Sequence, residues 1–146
     1  MSQHVLVPVD GSRSSRAALE YAREQFSDAR LTLLYVVDPM TDYSRQRAYP
    51  GYTADDEYKS EREKGEDILD SVRETLPDDV PVETVLEAGP PARVIVQYAD
   101  DHGVDGIVLG SHGREGPIRY LLGSVAEDVV RRAGVPVTVV RGLSDD

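Results

Sequence analysis

The chain has 146 residues, enough for one hydrophobic core of ordinary domain size and too few for two, so residues 1–146 are read as a single domain. Its 40% apolar and 29% charged residues argue against disorder, and the absence of cysteine removes disulfides, thiolate metal sites and cysteine nucleophiles. A formal net charge of -11 repels nucleic-acid phosphates and anionic lipid surfaces, so neither DNA, RNA nor a membrane is an expected partner.

In chain order, Met1 to His4 carries no basic n-region and runs straight into the first apolar stretch, His4 to Val9, read as a strand. It ends in Asp10-Gly11-Ser12, and Ser12 is the expected N-cap of a helix that lines up Ala18, Leu19, Ala22 and Phe26. Leu31 to Val37 is the second strand. Asp38 to Asp55, which holds Tyr43, Tyr49 and Tyr52, is longer than most connections and is read as a loop over the top of the sheet, either a lid or a surface excursion. A second helical stripe, Ile68, Leu69, Val72 and Leu76, stops at Pro77, and Val80 to Leu86 is the third strand. Pro90 and Pro91 open a third helix with Val94, Ile95 and Tyr98 inward, and Val104 to Leu109 is the fourth strand. Ser124 and Glu127 read as a capping box for a last helix stopped by Gly134, before a fifth strand, Val135 to Val140.

Strands alternating with helices give an α/β fold. Val5 to Val9, Leu33 to Val37 and Ile107 to Leu109 are apolar on both faces, as parallel strands covered on both sides must be. Pro81 and Pro136, second in their runs, assign the third and fifth strands to the edges, where a missing N–H is tolerated; Pro8 is accommodated near the end of its strand. No apolar run is long enough to span a bilayer, so a soluble, cytoplasmic protein is expected. The charge comes from 16 Asp and 11 Glu against 14 Arg and two Lys, an acidic surface of the kind that suits a salt-rich cytoplasm.

After the fourth strand come Gly110-Ser111-His112-Gly113, nine residues, and Gly123-Ser124-Val125, a G-x2-G-x9-G-S pattern. Glycines let backbone N–H groups approach phosphate oxygens, and Gly123-Ser124 stands at a helix start, whose free N–H groups form an anion site. Without a ligand, Ser124 would be a cap and Gly110 a turn residue. In an open α/β sheet ligands bind beyond the carboxyl ends of the strands where the winding reverses, and if the first and fourth strands are neighbours there, Asp10 faces the Gly110 loop. There a carboxylate can accept a ribose hydroxyl or help hold a phosphate-bound Mg²⁺; its plain alternative is a turn aspartate.

These residues make the chain resemble a universal stress protein. The likeness runs from Val5-Leu6-Val7-Pro8-Val9-Asp10-Gly11-Ser12 through Tyr35-Val36-Val37-Asp38 and Gly89-Pro90-Pro91 to Asp105–Ser124. It implies a Rossmann-like five-stranded parallel sheet of order 3-2-1-4-5 with helices on both faces, and the glycine pattern resembles the ATP-binding branch. By resemblance Pro8, Asp10 and Val36 flank adenine and ribose, Leu109 and Gly110 line the crevice, and Gly113, Gly123, Ser124 and Val125 hold the phosphates. A homodimer through the fifth strand is implied as well. Gly106 departs from the pattern, standing where an apolar residue is usual.

The resemblance favours an ATP-dependent dimeric regulator of a stress response. Two other readings stand beside it: a slow ATPase or phosphotransferase, and a non-nucleotide interaction module with the same fold. A catalytic reading would draw on His112, Arg114 or Arg119, whose plain alternatives are a hydrogen-bonding loop histidine and surface arginines, and the loop has no lysine of the P-loop kind.

Overall fold

The computed structural model describes residues 3–38, 54–111 and 122–141. Five strands form one parallel sheet of order β3-β2-β1-β4-β5, with β1 at His4–Pro8, β2 at Arg30–Val37, β3 at Val82–Ala88, β4 at Gly106–Gly110 and β5 at Val137–Val140. The described helices are α1 at Arg13–Gln25, α2 at Ala54–Glu74, α3 at Pro91–His102 and α4 at Ser124–Arg132.

Side chains alternate across the sheet, which divides the core in two. Val5, Val7, Leu31, Leu33 and Tyr35 pack under α1 and α2 with Leu19, Leu69 and Val72. Leu6, Leu34, Ile107 and Leu109 pack under α3 and α4 with Ile95, Ala99 and Val129. Burial on both faces is why the central strands read as unbroken apolar runs.

β3 and β5 are the edges, as the prolines predict, though Pro81 and Pro136 lie one residue ahead of their strands rather than within them. Their carbonyls still accept ladder bonds, from Leu31 N–H at 3.0 Å and Ile107 N–H at 3.0 Å, and no N–H is needed from either.

Pro8 has a different consequence. In a parallel sheet successive residues bond to opposite neighbours. Val9 donates to Leu34 O at 2.9 Å, toward β2, and Asp105 donates to His4 O at 2.7 Å, from the β4 side. Pro8 therefore faces β4 with no N–H to offer. Pairing with β4 runs through Val5–Gly106 and Leu6–Ile107 and stops, while pairing with β2 continues to Pro8–Leu34. β1 and β4 part where the proline sits.

Ser12 is the N-cap of α1, its Oγ accepting Ser15 N–H at 3.1 Å. Pro90 is the N-cap of α3 and Pro91 its first residue, and Gly103 closes it in the left-handed region at φ 60. Two local expectations are corrected. The N-cap of α4 is Gly123, with Ser124 the first helical residue, so the capping box does not form; the Glu127 carboxylate pairs with Arg131 at 2.7 Å. The stop is Ala133 in extended conformation, and Gly134 takes no positive φ. The tyrosine-bearing stretch 39–53 lies outside the described residues.

Candidate functional site

The site is built at the carboxyl ends of β1 and β4, on either side of the gap below Pro8. On the β1 side the chain turns at Gly11, with φ 84. Asp10 Oδ1 accepts Ser12 N–H at 2.9 Å, and Arg16 donates to Gly11 O at 3.3 Å. Asp10 thus makes the contact of a turn aspartate through one oxygen, and it is half-buried.

On the β4 side Gly110 is the last strand residue. A Cβ there would lie 2.5 Å from Ser14 Oγ and 2.6 Å from the Ser14 carbonyl carbon. Gly110 is required by the seat of α1's first turn on the end of β4, and that contact brings the Asp10 turn beside the glycine loop. Ser111 is buried; it donates its N–H to Val140 O at 2.9 Å and accepts Gly123 N–H at 2.7 Å. The two ends of the loop are therefore pinned together. Gly113, His112, Arg114 and Arg119 lie outside the described residues.

The Gly123 N–H is engaged by Ser111, and its carbonyl takes the first helical bond, from Glu127 N–H at 3.0 Å. The N–H groups of Ser124, Val125 and Ala126 then head α4 without an acceptor in their own helix. Gly123 has no side chain to cap them. They form the positive end of a nine-residue helix.

Val36 completes the arrangement. Even-numbered residues of β2 turn their backbone groups toward β1, as Arg30 N–H does to Gln3 O at 2.8 Å. Val36 lies two residues past Leu34, the partner of Pro8, so its N–H and C=O point to where β1 has ended. Its side chain shares one apolar cluster with Leu109 and Val125. Pro8, Asp10, Val36, Leu109, Gly110, Gly123, Ser124 and Val125 all meet at this end of the sheet. Ser14 and Ser111, which fix its width, carry no motif of their own and were not among the expected residues.

No group of three or more His, Asp or Glu among the described residues is placed to hold a metal. A concavity of about 380 Å³ lies elsewhere, between Gly89, Arg93, Gln97 and His102 beside α3. It contains none of the candidate nucleotide-site residues, although Gly89 and Pro90 of the family-like stretch line it. No helix among the described residues is long and apolar enough to cross a membrane.

This five-stranded order and the pinned loop can be set beside known proteins. The sequence profile of the Universal stress protein family matches residues 1–141. The chain belongs to the universal stress protein family. Universal stress protein MJ0531 of Methanocaldococcus jannaschii is 34% identical over 145 residues, covering 94% of this chain and 81% of the relative. The structure of universal stress protein UspA from Lactobacillus plantarum superposes with a TM-score of 0.79 at 29% identity, covering 95% of this chain and 97% of that one. A universal stress protein solved in complex with cAMP superposes with a TM-score of 0.61 at 25% identity, covering 97% of this chain and 98% of that one.

Proposed function

We propose that this family member binds ATP at the carboxyl ends of β1 and β4 and acts as a nucleotide-dependent regulator rather than a fast catalyst. The observation that carries the reading is the α4 N-terminus, whose Ser124, Val125 and Ala126 N–H groups have no side-chain cap and follow directly on Gly123, itself bonded to Ser111. An uncapped helix start beside a glycine turn suits phosphate oxygens.

The remaining parts of a nucleotide find chemistry of the right kind. The Val36 backbone groups directed past the end of β1 offer a donor and an acceptor for the adenine edge, and Leu109 and Val125 an apolar wall. Asp10 is placed for a ribose hydroxyl or for Mg²⁺ carried by the phosphates; one of its oxygens already accepts from Ser12, which holds the carboxylate still. The cAMP complex of a relative supports a nucleotide as ligand.

Further parts of the proposal concern assembly and setting. The half-buried edge strand β5, Val-Thr-Val-Val, is suited to pair with a second copy. Sedimentation showing a monomer at micromolar concentration in salt would remove this dimer. A salt-rich cytoplasm is proposed from the net charge of -11.

The test is to purify the protein in high salt without added nucleotide, denature it and identify released small molecules by mass spectrometry, with Gly113→Val alongside. ATP from the native protein and none from the variant is expected. ADP in its place would transfer the reading to a slow ATPase. An empty protein that also ignores added Mg²⁺-ATP would leave an interaction module.

A further inference from the structure

At the opposite, amino end of the sheet, a polar chain with no part in the nucleotide reading joins β1, β2 and α3. His4, the first residue of β1, is 8% exposed. Arg30 Nη2 lies 3.1 Å from His4 Nδ1, and Nε2 lies 2.7 Å from Thr32 Oγ1, a hydroxyl with no exposed surface. A guanidinium can only donate, so Nδ1 must accept and Nε2 must carry the single proton. Beyond Thr32 stands Tyr98 of α3, whose phenol is pushed up by burial and by Glu83 and drawn down by the Thr32 hydroxyl. The Tyr98 ring stacks on His102 at 3.8 Å, and His102 Nδ1 meets Tyr98 O at 3.0 Å.

The same histidine fixes the start of β1 through its backbone. Its N–H donates to Asp105 Oδ2 at 2.8 Å, its carbonyl accepts Asp105 N–H at 2.7 Å, and the neighbouring Gln3 carbonyl accepts Arg30 N–H at 2.8 Å. Only the neutral, Nε2-protonated ring satisfies this set. A second proton would sit on Nδ1, aimed at the Arg30 donor, with two cations face to face and one of them buried.

We propose that the amino end of the sheet is an acid-sensitive latch, in which protonation of His4 expels Arg30 and releases the start of β1 from β2 and from the approach to β4. The charged groups facing His4 act in both directions. Burial, Arg30 and His102 disfavour the cation, whereas Glu83 of β3 and Asp105 favour it. The balance holds the His4 imidazole below its ordinary value of 6.5. The folded state therefore binds the proton less readily than the unfolded chain. The stability contributed by the neutral ring is complete above 6.5 and is lost as pH falls from there toward the folded value. Mild acid is the condition that opens the latch, and the nucleotide end lies at the far end of the strands.

Amide hydrogen exchange of the full chain tests this, with protection factors corrected for the intrinsic pH dependence. Between about pH 7.5 and about pH 5.5, the range in which histidine titrates, protection at Arg30 and Asp105 is expected to fall roughly tenfold or more. Val9 and Gly89, bonded to Leu34 and Val37 at the carboxyl end, are expected to keep theirs. His4→Gln stays neutral and retains an acceptor and a donor, so its protection at Arg30 and Asp105 should not change with pH. Equal protection at both pH values in the native protein, or the same loss in His4→Gln, would overturn the latch. If His4→Gln does not fold, the imidazole resonances of the native protein decide. A His4 ring titrating in step with the loss of protection supports the latch, and a ring titrating at 6.5 or above overturns it.

Discussion

Gly110 and Gly106 are both glycines of β4, and the structure gives them opposite tolerances. A Cβ at Gly106 would find only Pro136 O, at 3.6 Å, whereas one at Gly110 would run into the Ser14 backbone. Gly110→Ala is expected to lower stability by about 1–3 kcal/mol, the usual range for overpacking, because α1 must lift from the strand end. Gly106→Ala should stay within about 1 kcal/mol of the native protein, since it removes only chain entropy from the unfolded state. Urea unfolding of the two variants measures both. Pro8 makes a sharper case, because its effect is on shape. Pro8→Ala restores an N–H toward β4, lets the ladder run past Leu6–Ile107 and narrows the gap. Mg²⁺-ATP affinity should fall several-fold by calorimetry while the urea midpoint moves little. The Ser12 cap and the Asp10 turn were legible in the sequence because their partners lie within three residues. The contact between Gly110 and Ser14 was not, because nothing local marks a long-range approach.

Elements were legible to the degree that their signals are local. The apolar runs and the prolines located five strands and both edges, although Pro81 and Pro136 turned out to precede their strands. The order 3-2-1-4-5 came from the family resemblance together with those edges. The start of α4 was misread by one residue, since Ser124 with Glu127 satisfies the capping pattern while Gly123, in extended conformation, takes the cap position. That shift leaves Ser124 exposed at the first helical position, which allows a test with two readouts. Ser124→Asp places a negative charge at the positive helix end and should raise stability by about 0.3–1 kcal/mol in the absence of ligand. The same charge would repel phosphate, so Mg²⁺-ATP affinity should fall about tenfold or more. A variant that gains stability and keeps its affinity would remove the phosphates from the α4 terminus.

For the whole molecule the dominant quantity is its net charge of -11. Salt acts on it in two opposed ways. It screens exposed pairs such as Arg62–Glu66 and Arg131–Glu127, each worth only about 0.3–0.5 kcal/mol. It also relieves the self-repulsion of the acidic excess, and this second effect is the larger. The thermal midpoint should therefore rise from about 0.1 M to about 2 M KCl, the range over which the screening length shrinks below contact distances between surface charges. An unchanged midpoint would remove the proposed salt-rich setting. The site is tested most directly by titrating Mg²⁺-ATP into the isotopically labelled protein and following backbone amides by NMR. The nucleotide reading requires shifts at Val36, Ser124, Val125 and Ala126, with Arg30 and Asp105 at the far end unmoved. No shifts, or shifts confined to Gly89, Arg93 and Gln97 beside α3, would contradict it.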